Sequence, residues 1–220
     1  QDETRRALAA RTMAHQAQLK MLRYQLNPHF LFNTLNAIST LILDRDNATA
    51  NRMVQGLSSF LRHSLDNDPM QRVTLRQELD ALTLYLDIEK IRFAERLRIE
   101  TAIDEDCWRA LLPSLLLQPL VENAIKYAVA KKVEGGLLRI EARRDGAQLV
   151  LRVIDDGPGC GSLEGDQLPP GKGVGLRNTR ERLHVLYDED SGFAVRNLNP
   201  GIEVTLRLPF ETAQTLGDLA

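Results

Sequence analysis

The apolar residues of this chain change their spacing at Asp66-Asn67-Asp68-Pro69. Before that point they recur every three to four residues, as in Ala50, Val54, Leu57, Leu61 and Leu65. After it the helical spacing is joined by strict alternation, with Ile202, Val204, Leu206 and Leu208 set between Glu203, Thr205 and Arg207. The first pattern buries one stripe of a helix and the second one face of a strand. A polar linker between two such regimes implies an α+β chain: an N-terminal helical hairpin, then an α/β sandwich. The division expected is 1–70 for the hairpin, 71–212 for the sandwich and 213–220 for a C-terminal tail.

In the N-terminal part, Leu8, Thr12, His15, Leu19, Leu22 and Leu26 alternate by four and three, which suits a helix that pairs with a partner. Pro28 removes a backbone donor and is expected to kink the helix just before His29. Beyond the kink Leu31, Leu35, Ile38 and Ile42 form an apolar seam, at about 180–240° from His29 around the helix. Asn33, Asn36 and Thr40 fall within roughly 40° of His29. An exposed neutral imidazole beside small amides can act as a nucleophile near pH 7. The Asp44-Arg45-Asp46-Asn47 break carries N-cap residues, and a second amphipathic helix follows. A lone hairpin buries little, so a homodimer forming a four-helix bundle is expected.

The C-terminal part reads as a helix over 74–93, a strand over 98–103 and an apolar helix from Pro113 through Tyr127. Strands over 137–144 and 148–155 join at Asp145-Gly146. A Gly- and Pro-rich loop spans 160–172, and a helix runs from Val174 to Tyr187. A second hairpin, 193–198 with 202–208, turns at Asn199-Pro200-Gly201.

Three segments here carry chemistry. A helix through Val121–Tyr127 puts Asn123, Lys126 and Tyr127 on one face, where an amide can meet Mg²⁺, a lysine a phosphate and a tyrosine a base. In Asp155-Asp156-Gly157-Pro158-Gly159, a carboxylate at a strand end can accept a hydrogen bond from an exocyclic amine, and the glycines let backbone approach a ring. Gly171-Lys172-Gly173-Val174-Gly175 opens a helix and offers backbone donors to phosphate. Each is weak singly; the three in this order are a strong signal.

Composition excludes several classes. With 28 basic and 30 acidic residues the net charge is −2, which gives no reason to expect nucleic-acid binding. No apolar run approaches the roughly 20 residues of a membrane span. Cys107 and Cys160 lie far apart without metal-ligand spacing, and a reducing cytoplasm is the default compartment. The start at Gln1 suggests a segment upstream.

The sequence resembles the sensor histidine kinases of the LytS/AlgZ type. The resemblance rests on Asn-Pro-His-Phe-Leu-Phe-Asn at 27–33, Tyr85–Phe93, and Leu-Gln-Pro-Leu-Val-Glu-Asn-Ala-Ile-Lys at 117–126. It implies a dimeric helical hairpin followed by a Bergerat (GHKL) ATP-binding domain, with ATP and Mg²⁺ as cofactors. It implies His29 as phosphoacceptor, Asn123 as Mg²⁺ ligand and Lys126 as phosphate contact. Asp155 would read the adenine amine, with Gly157 and Gly159 shaping that wall and Gly173 and Gly175 lining the phosphates. It also implies phosphoryl transfer to a response-regulator aspartate, an upstream sensor region, and a full-length protein in the bacterial inner membrane. The alternatives are a GHKL ATPase or serine kinase, and a non-catalytic signalling scaffold.

Two departures stand out. Phe30 occupies the place where many histidine kinases have an acidic residue after the histidine; Asn33, one turn on, can orient groups but cannot take up a proton. Pro119 stands four residues before Asn123, where the superfamily often has Glu or Asn, leaving Gln118 and Glu122 as substitutes and Glu122 as a second metal-ligand candidate. His15, His63, His184, Cys160 and Trp108 read as surface or packing residues, and Arg177, Asn178 and Arg180 equally as phosphate contacts or a solvated face.

Overall fold

The computed structural model describes residues 27–66, 68, 71–160 and 174–214. The chain falls into two compact units that divide between Asn67 and Asp68.

The first unit is a helical hairpin of α1 (Pro28–Leu43) and α2 (Asn47–Asp66). Pro28 does not kink a passing helix. Asn27 is extended, and its side chain accepts the N–H groups of His29 and Phe30, so Pro28 sits in the first turn of a helix that starts there. Asp46 caps α2 by accepting the Thr49 N–H.

The seam expected on α1 is rotated. The buried positions are Phe30, Thr34 and Ile38, roughly 70° round from the Leu31–Leu35–Ile38–Ile42 stripe. Phe30 meets Phe60 edge-on, with ring centroids 5.2 Å apart. The Thr34 hydroxyl is spent on the Phe30 carbonyl, which lets a polar residue occupy the buried face. On α2, Met53, Phe60 and Ser64 join Ala50 and Leu57 inside, whereas Val54 and Leu65 stay outside. A second apolar face therefore remains uncovered in the single chain, with Leu35 53% and Ile42 55% exposed.

The second unit holds β1 (Arg72–Thr74), α3 (Leu75–Phe93), β2 (Leu97–Ile103), β3 (Leu111–Pro113), α4 (Gln118–Ala124), β4 (Gly136–Asp145), β5 (Gln148–Asp155), α5 (Val174–Tyr187), β6 (Gly192–Asn197) and β7 (Ile202–Pro209). A five-stranded sheet has the order β2-β4-β5-β7-β6, and β1 pairs separately with β3. Only β2 and β4 run parallel within the five strands, bridged by the α4 crossover.

Register explains the sandwich. Ile140, Val153, Val204 and Val195 stand opposite one another in one buried row. The other face carries Arg139 against Glu100, Arg152 against Glu141 and Arg196 against Glu203. One face thus packs under the helices and the other is a charged ladder facing solvent.

The apolar helix expected from Pro113 is corrected. Pro113 ends β3, a left-handed Leu115 (φ 58°) turns the chain, and α4 begins only at Gln118 with Pro119 in its first turn. A run of leucines fits a buried turn and a buried helix equally well, so hydrophobicity did not mark the boundary. Thr74 and Gln77 form a capping box that starts α3.

Candidate functional site

The hairpin presents His29 in the first turn of α1, where the side chain is exposed. Asn33 lies one turn on, with its Nδ2 3.0 Å from Nδ1 and 3.3 Å from Nε2 of the ring. The two side chains expected to share a face do touch. The amide can hold one ring nitrogen and leave the other free, and which nitrogen is free follows the imidazole tautomer.

In the second unit, the strand pattern decides which of two consecutive aspartates faces the helices. Asp155 belongs to the same sheet face as Leu151 and Val153, and its partners in register are Leu138 and Ile202. Burial pushes its carboxyl up to about 6, against the N–H groups of Gly157 and Ile202 that hold it down. The Gly157 N–H donates at 2.8 Å. Asp156 points the other way and is consumed structurally. Its carboxylate accepts the Leu137 N–H at 2.8 Å and faces Arg98 and Lys132. Of the two, Asp155 is the half-buried carboxylate on the helix-covered face of the sheet, held only by backbone N–H groups of Gly157 and Ile202.

The wall beside it depends on close approach. A Cβ added to Gly157 would stand 2.7 Å from that of Ala128. Gly159 has φ +76° and lies against Asn197.

Asn123 lies on α4, half-buried, and faces the start of α5. A Cβ on Gly175 would come within 3.2 Å of the Pro119 Cβ and 3.9 Å of Asn123 Nδ2. Gly175 thus permits the two helices to meet beside the amide.

Lys126 and Tyr127 do not continue a regular face from Asn123. They fall in a wide π-turn, Ile125–Val129, closed by the Ala130 N–H on the Ile125 carbonyl at 2.9 Å. Such turns replace helical regularity with local placement and recur at functional sites. There the ammonium groups of Lys126 and Lys131 lie 5.1 and 4.8 Å from the Tyr127 ring centre. Glu122 accepts from the Gln118 amide at 2.8 Å. Gly173, the Gly171-Lys172 pair and the heptad of 8–26 lie outside the described residues.

Two buried groupings were not read from the sequence as sites. Glu89, 1% exposed, is gripped by Arg92 at 2.6 and 2.8 Å and accepts from Tyr85; burial lifts its carboxyl to about 6, and the charge of Glu122 adds to this. Tyr85, Glu89 and Arg92 share a helix face at i, i+4 and i+7, a signal present in the Tyr85–Phe93 segment. Glu78 accepts the Leu115 and Leu117 N–H groups, and Arg182 of α5 donates to the Ser114 carbonyl at 2.6 Å. An acid from α3 and a guanidinium from α5 therefore clasp the turn that launches α4. No sequence pattern carries that link, since the partners are over 30 residues apart.

Against known proteins, residues 17–97 match the family described as histidine kinase, and residues 110–212 match the histidine kinase-, DNA gyrase B-, and HSP90-like ATPases. The chain belongs to the histidine kinases. It is 38% identical over 201 residues to the sensor histidine kinase BtsS of Escherichia coli (strain K12), covering 91% of this chain and 35% of the relative. To the sensor protein LytS of Staphylococcus haemolyticus it is 34% identical over 206 residues, 89% of this chain and 35% of that protein. The chain thus spans about a third of the length of these relatives. The solved histidine kinase AdeS of Acinetobacter baumannii shares the fold, with a TM-score of 0.52 at 15% identity, over 84% of this chain and 98% of that one.

The LytS-type resemblance, the α+β class and the ATPase-type sandwich expected from the sequence agree with these matches. Among the described residues no three His, Cys, Asp or Glu side chains converge on a metal position. No described helix is long and apolar enough to cross a membrane.

Proposed function

We propose that this chain is the catalytic core of a two-component sensor kinase that phosphorylates itself on His29 and passes the group to an aspartate of a response regulator. The observation that carries the proposal is the pairing, in one chain, of an exposed imidazole held by an amide with an ATPase fold that keeps a half-buried carboxylate at its glycine wall.

Asp155 accepts the adenine amine. Gly157 and Gly159 form the surface against which the base lies, with the Tyr127 ring as a further candidate for base contact. Asn123 is the Mg²⁺ ligand, with Glu122 as a second candidate. Lys126 meets phosphate, and Gly173 and Gly175 give backbone access on that side. Bound Mg²⁺ would neutralise phosphate charge.

The chemistry is an in-line displacement: a bond forms between a ring nitrogen of His29 and the γ-phosphorus, the bond to the β,γ-bridging oxygen breaks, and ADP leaves. Asn33 orients the ring through its amide but takes up no proton. Phe30, buried in the hairpin, leaves the place of an adjacent acid empty.

The uncovered apolar face of α1 and α2 supports a homodimer through a four-helix bundle. A sensor region upstream and anchorage in the bacterial inner membrane complete the reading.

The test is incubation with radiolabelled ATP, followed by acid and base treatment. Acid-labile, base-stable label that His29→Gln removes, with nucleotide affinity retained, is the expected result. Undiminished label in that variant refutes the assignment.

A further inference from the structure

The turn between β6 and β7 reaches back to the wall beside Asp155. Asp155, Ile202 and Asn197 stand in one row across β5, β7 and β6. The row ends the buried series that contains Val153, Val204 and Val195. At the exposed end of β6, both polar atoms of the Asn197 side chain are committed to one backbone residue. Its Oδ1 accepts the Cys160 N–H at 2.8 Å, and its Nδ2 donates to the Cys160 carbonyl at 2.7 Å. This is the pairing a neighbouring strand would make, supplied by one amide.

The same turn grips the other end of the wall. The Ile202 N–H reaches the Asp155 carboxylate. Gly201, at φ +102°, lies so close that an added Cβ would stand 1.8 Å from the Asp155 carbonyl oxygen. A Cβ on Gly159 would stand 3.0 Å from Asn197 Oδ1. The segment from Asp155 to Cys160 is therefore fastened at both ends by one hairpin turn, and Asn197 is the side chain that closes the clasp.

We propose that Asn197 is a positioning residue for the nucleotide base: it holds the Gly157–Cys160 backbone in the shape that the adenine ring requires. This rests on the reading of Asp155 as the adenine acceptor. A wall held in advance need not be ordered on binding, so losing the clasp weakens every ligand that carries the base. It leaves the phosphate side, on α4 and α5, untouched. Fixing about one residue of backbone corresponds to roughly a tenfold change in affinity.

The experiment uses Asn197→Ala and Asn197→Asp in the full chain. Mg²⁺–ADP, adenosine and tripolyphosphate are titrated by calorimetry, and melting is followed without nucleotide. For Asn197→Ala, ADP and adenosine should weaken by the same factor, about tenfold, with tripolyphosphate unchanged and melting within about 2 °C of wild type. In self-labelling the loss should fall on KM and not on kcat. Asn197→Asp keeps the acceptor but sets a carboxylate against the Cys160 carbonyl, and should lose at least as much. Equal loss for tripolyphosphate, or a melting decrease of more than about 5 °C, would reduce Asn197 to a structural residue and overturn the inference. Asp155→Asn is the control. If it binds adenosine like wild type, the reading of the base site fails. If it does not, and Asn197→Ala binds ADP and adenosine within twofold of wild type, only the Asn197 inference fails.

Discussion

Replacing Asp155 by Asn should make the protein more stable and less able to bind nucleotide, and the two effects share one cause. Burial raises this carboxyl from 3.8 to about 6, so at neutral pH the folded state holds a charge that it disfavours. A rise of that size corresponds to roughly 3 kcal/mol, and partial exposure together with the unpaired amide of the substituted side chain reduces the expected gain to about 1–2 kcal/mol. For a unit of this size that is roughly 3–6 °C in melting temperature.

A group whose folded value lies above its unfolded value favours the fold fully below pH 3.8 and loses that contribution as pH rises through about 6. The advantage of the Asp155→Asn variant over the wild type should therefore be greatest at about pH 7.5 and vanish near pH 4. ADP affinity should drop more than about tenfold, because a charged acceptor to the base amine is lost. Thermal melts at about pH 7.5 and about pH 4.5, with and without ADP, read both effects. A variant that melts below wild type at the higher pH and keeps the full ADP-induced shift would refute the reasoning.

Other expectations concern the remaining parts. Asn123→Ala should abolish Mg²⁺-dependent labelling, and equal Mg²⁺-dependent binding of a fluorescent ATP analogue by variant and wild type would count against the assignment. Asn33→Ala should change the rate of autophosphorylation, or of regulator dephosphorylation, at unaltered melting temperature; if both rates match wild type, the amide beside His29 is idle. Glu78→Ala strands two N–H groups and leaves Arg182 uncompensated, and should cost about 3–5 kcal/mol in chemical denaturation. Leu35→Glu lies on the uncovered face of α1 and should convert a dimer to a monomer in light scattering, with helix content by circular dichroism retained.

Periodicity and turn chemistry made much of this protein legible before its tertiary structure. The α5 helix, β5 and the Asp145-Gly146 hairpin fall where their patterns predict, because short-range signals suffice for elements whose one face is buried. Long motifs identified the family, since residue order alone carries that resemblance. What escaped were decisions made by distant partners or by local caps. Whether Pro28 kinks or starts a helix depended on the Asn27 cap. The face of α1 that turns inward was set by Phe60 on α2. The start of α4 was set by Glu78 and Arg182 gripping the turn before it.

The site divides in the same way. The sequence by itself determined which chemical groups are present and their order: an imidazole with an amide one turn on, an asparagine on a helix, an aspartate before glycines. Only the tertiary structure decided that Asp155 turns to the helix-covered face of the sheet while Asp156 is tied to Arg98, Lys132 and Leu137, and that Asn197 holds the Cys160 backbone. Strand register determines which of two adjacent aspartates meets the core, and that register is set by pairing between segments remote in the chain.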